Sequence, residues 1–360
     1  MNDSLQDGSP DSNFPPVASH IRVRVLMNAL ARNGAFLGEW PELRGEVLRR
    51  LNLPLEVLET VFPDSAEEMA QEVKRTFEAG VSHLILMGGD GTFSSAIQGI
   101  FELIKAQPNI DLTDQTMVHF FPGGRGNDFF RSVSGEPALS ASEAREKALQ
   151  LLRIPHGVMT DLARIRWQTD SGWVKERAFL NIASFGFTGT ITDAVNHQAD
   201  WLRKTPLGNS GLTYLAHALG SAGHYRREPL RVEVDGRLIF EGKVLLGSVL
   251  NGRFNGGGVC WSKESMLDDG ELELVLIEGR KLTEVLRALP ALRNGEWSER
   301  AGVYRAKGRH IRIERQGDHL RSCPFWETDG EQREPEGVRV TEVECMQRVF
   351  RASRVSQDAS

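Results

Sequence analysis

The stretch LILMGGDGTFSSAIQGI, residues 84–100, runs an apolar segment directly into a glycine-rich turn and then into an amphipathic segment. Glycine adopts positive φ without steric cost and lets other groups approach the backbone closely, so such a turn between a strand and a helix exposes main-chain N–H groups. The N-terminus of the following helix adds a partial positive charge, which favours a bound anion. The turn consists of Gly88, Gly89, Asp90, Gly91 and Thr92.

Asp90 is a carboxylate inside this anion-binding turn. A negative side chain beside a phosphate is favourable if a divalent cation, bound directly or through water, lies between the two. The alternative is an ordinary tight turn in which Asp90 is the N-cap of the next helix. The residues of this turn alone leave both interpretations open.

The segments around this turn predict alternating strands and helices. The helix at 65–80 has Ser65 as its N-cap, acidic residues in its first turn and Gly80 at its end. Such alternation predicts an α/β domain, with a parallel sheet covered by helices on both faces. The predicted strands are 21–27, 55–62, 83–87 and 116–121, and the predicted helices are 41–51, 65–80, the segment after the turn up to residue 100, and 141–152.

A second glycine-rich turn, PGGRGNDFFR at 122–131, follows the predicted strand at 116–121. Parallel strands place their carboxyl ends at one edge of the sheet, so the two turns converge on one crevice. Asn127 or Asp128 is expected to cap the helix that follows, and Arg125 has the charge to contact a phosphate. A structural loop with a capping aspartate is the alternative.

The character of the sequence changes near residue 156. Strand-like segments dominate from there, and only 191–222 and 281–293 have helical patterns. The change predicts an α/β domain at 21–155, a mostly antiparallel β domain at 156–337, and a segment at 338–360 that returns to the first domain. The predicted strands are 161–167, 174–184, 230–234, 239–250, 271–277 and 309–314.

The chain has 360 residues, a formal net charge of −6 and three cysteines. The negative charge argues against a nucleic-acid-binding protein that neutralises phosphates over a broad surface. Three widely spaced cysteines predict neither a disulfide framework nor a metal cluster, and they fit a reducing cytoplasm. Residues 1–20 lack a secretory signal pattern and are expected to form a flexible tail. No stretch approaches the roughly 18–20 consecutive apolar residues of a membrane-spanning helix.

Taken together, the two glycine turns carry a family resemblance. GGDGT, followed about thirty residues later by P-x-G-x-G-N-D-F-x-R, resembles the catalytic domain of the diacylglycerol kinase and sphingosine kinase superfamily, in particular its bacterial soluble lipid kinases. The resemblance extends from about residue 21 to 350. It implies a phosphofructokinase-like, nucleotide-binding first domain and a β-rich second domain that binds the lipid substrate.

The resemblance also implies roles for single residues. TDGE at 328–331 resembles the family's C-terminal Asp-Gly-Glu, which implies that Glu331 is the catalytic base and Asp329 its supporting partner, while Asp90 organises the cation. The residues that correspond to nucleotide-binding positions are Asn28, Thr60, Gly88, Gly89, Asp90, Gly91, Thr92, Gly124, Arg125, Gly126, Asn127 and Asp128.

Acidic residues also cluster before the predicted strand LELVLI. Asp268, Asp269 and Glu271 are suited to bind a hard cation together with backbone oxygens, or to form a solvated Asp-Gly hairpin turn. The resemblance implies that Asp269 is a metal ligand. It also implies that the backbone oxygens of Met266 and Glu271 complete a structural cation site.

The sequence departs from the family pattern at several positions. Arg125 stands where the family usually has Thr or Ser, Ser95 where it usually has Glu, and Ala29 where it usually has Pro. The family places its acceptor lipid between the two domains, and the segment 199–223 carries apolar residues suited to line an acyl pocket. An apolar helical stripe is, however, more often ordinary core packing.

The leading expectation is an ATP- and Mg²⁺-dependent kinase that phosphorylates a hydroxyl of diacylglycerol or a related lipid. The alternatives are an NAD kinase-like or other small-alcohol kinase, and a non-catalytic regulator that binds nucleotide or lipid. PGGRGNDFFR and the C-terminal Asp-Gly-Glu favour the lipid kinase. The expected partner is a lipid at the membrane surface, reached from the cytoplasm at the inner membrane face, and a homodimer is compatible with this hypothesis.

Overall fold

A computed structural model describes residues 17–113, 115–124, 126–154, 156–187, 229–278, 302–317, 326–332 and 337–355. Several sequence predictions lie outside these residues. They are the tail over residues 1–16, Arg125, the helical patterns at 191–222 and 281–293, and the apolar segment 199–223.

The first half of the chain forms a parallel sheet flanked by helices, which confirms the predicted α/β class. Its strands are β1 (Val23–Met27), β2 (Leu58–Val61), β3 (His83–Gly88) and β4 (Met117–Pro122). Its helices are α1 (Ala35–Leu51), α2 (Ala66–Glu78), α3 (Asp90–Ala106), α4 (Asp128–Ser134) and α5 (Ala141–Leu151). The strands pair in the order β2-β1-β3-β4, all parallel, so their carboxyl ends share one edge.

Local signals place the second helix where the sequence predicts it. Ser65 is the N-cap of α2, and its hydroxyl accepts a hydrogen bond from the Glu68 amide at 3.1 Å. The strand predicted to begin at residue 55 begins at Leu58 instead, because Leu55–Val57 form a single 3-10 turn after Pro54. A close crossing packs α2 against α3, where a Cβ on Gly99 would lie 2.3 Å from the Ala70 carbonyl oxygen.

The second half is mostly antiparallel β structure, as predicted. Its strands are β5 (Val158–Thr169), β6 (Gly172–Phe179), β7 (Ile182–Gly186), β8 (Pro229–Val234), β9 (Arg237–Leu250), β10 (Phe254–Asn255), β11 (Val259–Cys260), β12 (Leu272–Glu278), β13 (Val303–Gly308), β14 (His310–Arg315), β15 (Trp326–Thr328), β16 (Glu331–Gln332) and β17 (Val340–Ala352). The long strand β9 pairs with β8 through its first residues and with β7 and β12 through its last ones. It therefore links two layers, with an apolar core cluster between them.

The single strand predicted at 174–184 is instead two strands, β6 and β7. The chain breaks at Leu180 and Asn181, whose amides donate to the Asp329 carboxylate at 2.9 and 3.0 Å. Backbone groups that serve a side chain are not available to a neighbouring strand. A contact with a residue far along the chain thus ends the strand, and no local pattern predicts it.

Strand β17 ties the two halves together. It pairs antiparallel with β5 along most of its length, and its last residues Arg351 and Ala352 pair parallel with β4.

Among the described residues, no helix is both long enough and apolar enough to cross a bilayer.

A histidine pair, half-buried at His83 and buried at His119, lies where β17 meets the first sheet. His83 Nδ1 is 3.0 Å from His119 Nε2, and His119 Nδ1 is 2.8 Å from the Ser353 hydroxyl. Burial lowers the pKa of His83, and burial together with His83 lowers the pKa of His119 well below its usual range. Both rings are therefore neutral in the folded protein at neutral pH.

This pair predicts a loss of stability in mild acid. Because the folded-state pKa values lie below the unfolded value of about 6.5, the unfolded chain binds more protons there. The neutral histidine pair therefore contributes stability above about pH 6.5, and this stability is lost as the pH falls below that value. We expect the unfolding free energy, measured by denaturant titration from neutral pH to about pH 5.5, to fall less steeply for His119→Asn than for the wild type.

His20→Asn is the matched control, since His20 is exposed. Its unfolding free energy should fall with decreasing pH as steeply as that of the wild type. Equal slopes for all three proteins would show that the histidine pair does not control this pH dependence.

Candidate functional site

A cleft of about 540 Å³ opens at the carboxyl edge of the parallel sheet. It lies over the ends of β1, β3 and β4 and the first turns of α2 and α3. The lining residues are Asn28, Leu30, Ala31, Pro63, Asp64, Ser65, Ala66, Met69, Gly89, Gly91, Thr92, Ser95, Gly123 and Gly124. Both glycine turns thus reach one cleft, where open α/β sheets bind their ligands.

The two glycine turns touch each other backbone to backbone. The Gly123 amide donates to the Gly88 carbonyl oxygen at 2.6 Å. A Cβ on Gly89 would lie 2.9 Å from Gly124 Cα, and a Cβ on Gly123 would lie 2.1 Å from the Phe36 ring. These glycines are required by close approach, because the space that a side chain would need is already filled.

Asn28 joins the first strand to the GGDGT turn. Its Nδ2 donates to the Thr92 hydroxyl at 3.1 Å, and its Oδ1 accepts from the Leu30 amide at 3.0 Å. Thr60 is half-buried in β2 and is not among the residues that line the cleft. On that side the wall is formed by Pro63, Asp64 and Ser65, which lie just beyond β2.

The Asp90 carboxylate caps the helix that follows the second glycine turn. Its Oδ2 accepts from the Asp128 amide at 3.2 Å and its Oδ1 from the Phe129 amide at 3.0 Å. Burial and the nearby Asp128 carboxylate raise the pKa of Asp90 to about 6. Asp90 is the first residue of α3, whose N-cap is Gly89, so the side chain serves α4 rather than its own helix.

The prediction that Asn127 or Asp128 caps α4 is confirmed for the position of Asn127, which is the N-cap residue, and wrong for its side chain. Asn127 occupies the N-cap position with φ 50°, but its Oδ1 turns back to accept from the Gly124 amide at 2.8 Å. This bond closes the glycine turn on itself. Because Asp90 already supplies the acceptors that α4 needs, the side chains in the turn are left for other contacts.

Asp128 reaches across to the second domain instead. Its Oδ2 accepts from the Gly257 amide at 2.9 Å and its Oδ1 from the Gly258 amide at 2.6 Å. Burial raises the pKa of this carboxyl group, although the glycine amides oppose the shift. The GGRGND turn of one domain is thereby joined to the triple-glycine loop of the other by two charge-assisted hydrogen bonds.

Asp329 lies in a two-residue turn between β15 and β16. Asp329 and Gly330 have φ of 49° and 80°, and Thr328 pairs with Glu331 across the turn, an arrangement that Asp-Gly favours. The Asp329 carboxylate accepts three hydrogen bonds of 2.9–3.1 Å, from the backbone amides of Leu180, Asn181 and Ile182. Burial raises the pKa of Asp329.

The structure brings Asp90, Asp128 and Asp329 to one place. The Asp128 and Asp329 charges both raise the pKa of Asp90. The backbone of Glu331 follows Asp329 by two residues in β16. Three carboxylates with raised pKa values beside a glycine-lined cleft are typical of a functional site, because burial of like charge is costly for stability alone.

The residues of the expected structural cation site lie in the loop before β12. Asp269 Oδ1 accepts from the Glu271 amide at 3.1 Å, and its Oδ2 is 3.5 Å from Lys307 Nζ. The neighbouring Asp268 is paired with the buried Arg354 at 2.7 Å. Within the described ranges, no three His, Cys, Asp or Glu side chains group into a metal site. A site made of one carboxylate and two backbone oxygens, as the resemblance implies, is compatible with this donor set but would share Asp269 with Lys307.

Sequence reasoning missed the residues that hold this loop. Both Asp161 oxygens accept backbone amides, from Gly270 at 2.8 Å and from Arg348 at 2.6 Å. Burial raises the pKa of Asp161. Asn251 donates to the Leu180 and Asp161 carbonyl oxygens at 2.7 and 3.1 Å. A lone Asp in a strand carries no motif, and the Asn that begins NGRFNGGG does not reveal its partners, so only the structure shows these roles.

Asn181 and Arg177 were missed for the same reason. Asn181 accepts the Ser132 hydroxyl through its side chain at 3.1 Å while its amide binds Asp329. Arg177 is buried, donates to the Ser94 hydroxyl on α3 at 3.2 Å, and opposes the rise in the Asp329 pKa through its charge. Both residues connect the strand break in the second domain to helices of the first.

The contact between the two glycine turns predicts a steric cost for a single methyl group. We expect Gly89→Ala to lower the unfolding free energy by about 1–3 kcal/mol, because the new Cβ forces the Gly124 backbone away. Gly45→Ala, at an exposed position of helix α1, is the control, since its Cβ meets no atom within 4 Å. That control should be more stable by about 0.5–1 kcal/mol. Denaturant titration of both variants decides, and a Gly89→Ala protein as stable as the wild type would contradict the packing argument.

Two family models match the chain. The diacylglycerol kinase catalytic domain matches residues 22–168, and the YegS C-terminal NAD kinase beta sandwich-like domain matches residues 182–351. A crystal structure of a diacylglycerol kinase from Bacillus anthracis str. Sterne superposes with a TM-score of 0.61 at 17% identity, covering 93% of this chain and 97% of that one. At that identity the likeness shows the fold.

Curated bacterial relatives are similar over part of their length. The chain is 29% identical over 208 residues to "Probable lipid kinase YegS-like" of Enterobacter sp. (strain 638), covering 58% of this chain and 60% of the relative. It is 30% identical over 226 residues to "Probable lipid kinase YegS" of Escherichia coli (strain SMS-3-5 / SECEC), covering 62% and 64%. The matched segments thus span less than two thirds of these relatives. With the two glycine turns on one cleft and both models matched in order, the first domain is similar to the diacylglycerol kinase catalytic domain and the second to the YegS C-terminal domain.

Proposed function

We propose that this protein is an ATP- and Mg²⁺-dependent lipid kinase, which transfers the γ-phosphoryl group of ATP to a hydroxyl of diacylglycerol or a related lipid. The observation that carries the proposal is the convergence of both glycine turns on one cleft beside three carboxylates. The named relatives of the chain are lipid kinases, which supports the same conclusion.

The cleft suits the phosphates of a nucleotide. Glycine turns with no room for side chains let phosphates approach the backbone closely, and the N-terminus of α3 adds partial positive charge. In the proposal the residues of both turns, together with Asn28, bind the nucleotide. Thr60 stays a prediction, because it does not line the cleft, and Arg125 stays one because it lies outside the described residues.

In the proposed reaction the lipid hydroxyl oxygen forms a bond to the γ-phosphorus of ATP as the bond to the β-phosphate oxygen breaks. ADP leaves, and the hydroxyl proton passes to the Glu331 carboxylate. Asp329, held by three amides, fixes the turn that carries Glu331. Such a reaction depends on positioning and on charge stabilisation more than on covalent chemistry.

A divalent cation would be held beside the phosphates near Asp90. Burial and the charges of Asp128 and Asp329 raise the pKa of this carboxyl group. Bound there, the cation supplies positive charge that offsets the charge developing on the phosphoryl oxygens. The second, structural cation is proposed at Asp269, with backbone oxygens of Met266 and Glu271. Lys307 is the positive group that already faces Asp269 there.

The rest of the proposal concerns the setting of the reaction. The first domain, 21–155, would bind the nucleotide, and 156–337 would bind the lipid at the membrane surface. The protein would work in the cytoplasm, with contact at the inner membrane face, and a homodimer is compatible with this arrangement.

Phosphate transfer from labelled ATP tests the function. We expect a labelled lipid from diacylglycerol or another lipid in mixed micelles with Mg²⁺, and roughly a 100-fold or greater loss of kcat in Glu331→Gln, since a base of this kind contributes about that much. Glu56→Gln, an exposed surface change, should leave kcat unchanged.

The acceptor panel separates the outcomes. It contains diacylglycerol, sphingoid bases, phosphatidylglycerol and NAD. Labelled NAD without labelled lipid would replace the lipid kinase by an NAD kinase-like enzyme, and label in neither would count against both. Full activity of Glu331→Gln would remove Glu331 as the base but leave the kinase in place.

The proposed cation at Asp269 predicts a change in Mg²⁺ demand. Asp269→Asn should raise the Mg²⁺ concentration for half-maximal activity roughly tenfold, because a neutral amide replaces the charged ligand. Asp111→Asn, an exposed change in the loop between α3 and β4, should behave as the wild type. The same Mg²⁺ curve for both variants would argue that Asp269 serves Lys307 alone.

A further inference from the structure

Polar side chains form a row across three neighbouring strands of the second domain. Glu327 on β15 pairs with Ser184 on β7, and Ser184 pairs with Ser248 on β9. The two serine hydroxyls are 2.9 Å apart. Glu327 is 4% exposed and both serines are fully buried, so the row is closed to solvent and acts within the protein.

Asn255 on β10 joins this row to the triple-glycine loop. Its Nδ2 donates to Glu327 Oε1 at 3.0 Å and lies 3.4 Å from the Ser184 hydroxyl. Its Oδ1 accepts from the Gly256 amide at 2.7 Å. Both ends of the carboxamide are used, which fixes its orientation and with it the conformation in which the loop begins.

The loop continues this connection to the first domain. Gly256, Gly257 and Gly258 have φ of 68°, 80° and 96°, a succession that glycine adopts readily and other residues rarely do. In this conformation the second and third amides donate to the two oxygens of Asp128. The amide of Asp128 in turn donates to Asp90.

We propose that Asn255 is a positioning residue that couples strand β15 to the first domain through the triple-glycine loop. The Asn255–Glu327 hydrogen bond holds the loop against β15, two residues before Asp329. The loop in turn holds Asp128 beside Asp90. The Asn255 side chain thus fixes the position of the Asp329 turn, between β15 and β16, relative to the two glycine turns.

The coupling itself follows from these contacts, and only its effect on turnover rests on the proposed kinase function. Neither Asn255 nor Glu327 lines the cleft. A change at Asn255 should therefore act on the geometry of the site while leaving the nucleotide cleft intact.

A donor–acceptor exchange tests the proposal. Asn255→Asp keeps the shape of the side chain but replaces the Nδ2 donor by a carboxylate oxygen that faces Glu327. Adding Glu327→Gln supplies a new donor on the opposite side, so the double variant restores one hydrogen bond with its direction reversed. Asn109→Asp, in an exposed turn, is the control for the added charge.

Hydrogen exchange and kinetics are measured on the full chain for all four proteins. In Asn255→Asp we expect amide exchange at Gly257, Gly258 and Asp128 to quicken about tenfold or more, because the loop opens locally. We expect kcat to fall roughly tenfold with the KM for ATP changed less than about twofold, since the cleft is untouched. The double variant should recover both quantities to within about threefold, as coupled pairs do.

The outcomes separate this proposal from the proposed function. Unchanged exchange at Asp128 in Asn255→Asp would overturn the coupling, as would a double variant that recovers its thermal stability but not its exchange rates and kcat. If the wild type phosphorylates no acceptor, the kinase proposal fails, and the exchange rates alone decide whether Asn255 holds the loop.

Discussion

The site depends on half-buried and buried carboxylates that accept hydrogen bonds from backbone N–H groups of distant segments. Asp90 binds the start of α4, Asp128 binds the triple-glycine loop, and Asp329 binds the break between β6 and β7. Amides at helix starts, loops and strand ends have no partner in regular secondary structure, and a charged acceptor satisfies several at once. Each contact joins two elements that would otherwise be held only by apolar packing.

This arrangement carries an electrostatic cost. Burial raises the pKa of all three carboxyl groups, and the charges of Asp128 and Asp329 add to the rise at Asp90. The amides lower these values but do not cancel the effect of burial. A fold gains little stability from gathering like charges, so the cluster is better explained by the chemistry of the cleft beside it.

Sequence patterns were reliable where one segment determines its own structure. The cap at Ser65, the strand before Gly88 and the parallel pairing of the first sheet follow from local residue preferences and from the alternation of elements. They were incomplete at α4, where Asn127 holds the N-cap position but Asp90 supplies the side-chain acceptors, and wrong at the strand that divides near Asn181. In both cases a distant carboxylate competes successfully for the amides that local rules assign elsewhere.

The glycine turns, the two fold classes and the family resemblance could be recognised from the chain alone, because steric limits and residue periodicity act between near neighbours. The partners of the carboxylates could not, because they lie 38 residues apart for Asp90 and Asp128, 129 for Asp128 and Gly257, and 149 for Asp329 and Leu180. Asn255 and Glu327, 72 residues apart, show the same limit. Such pairs form only when the sheet has brought their strands together, so tertiary structure alone selects which donor each acid binds.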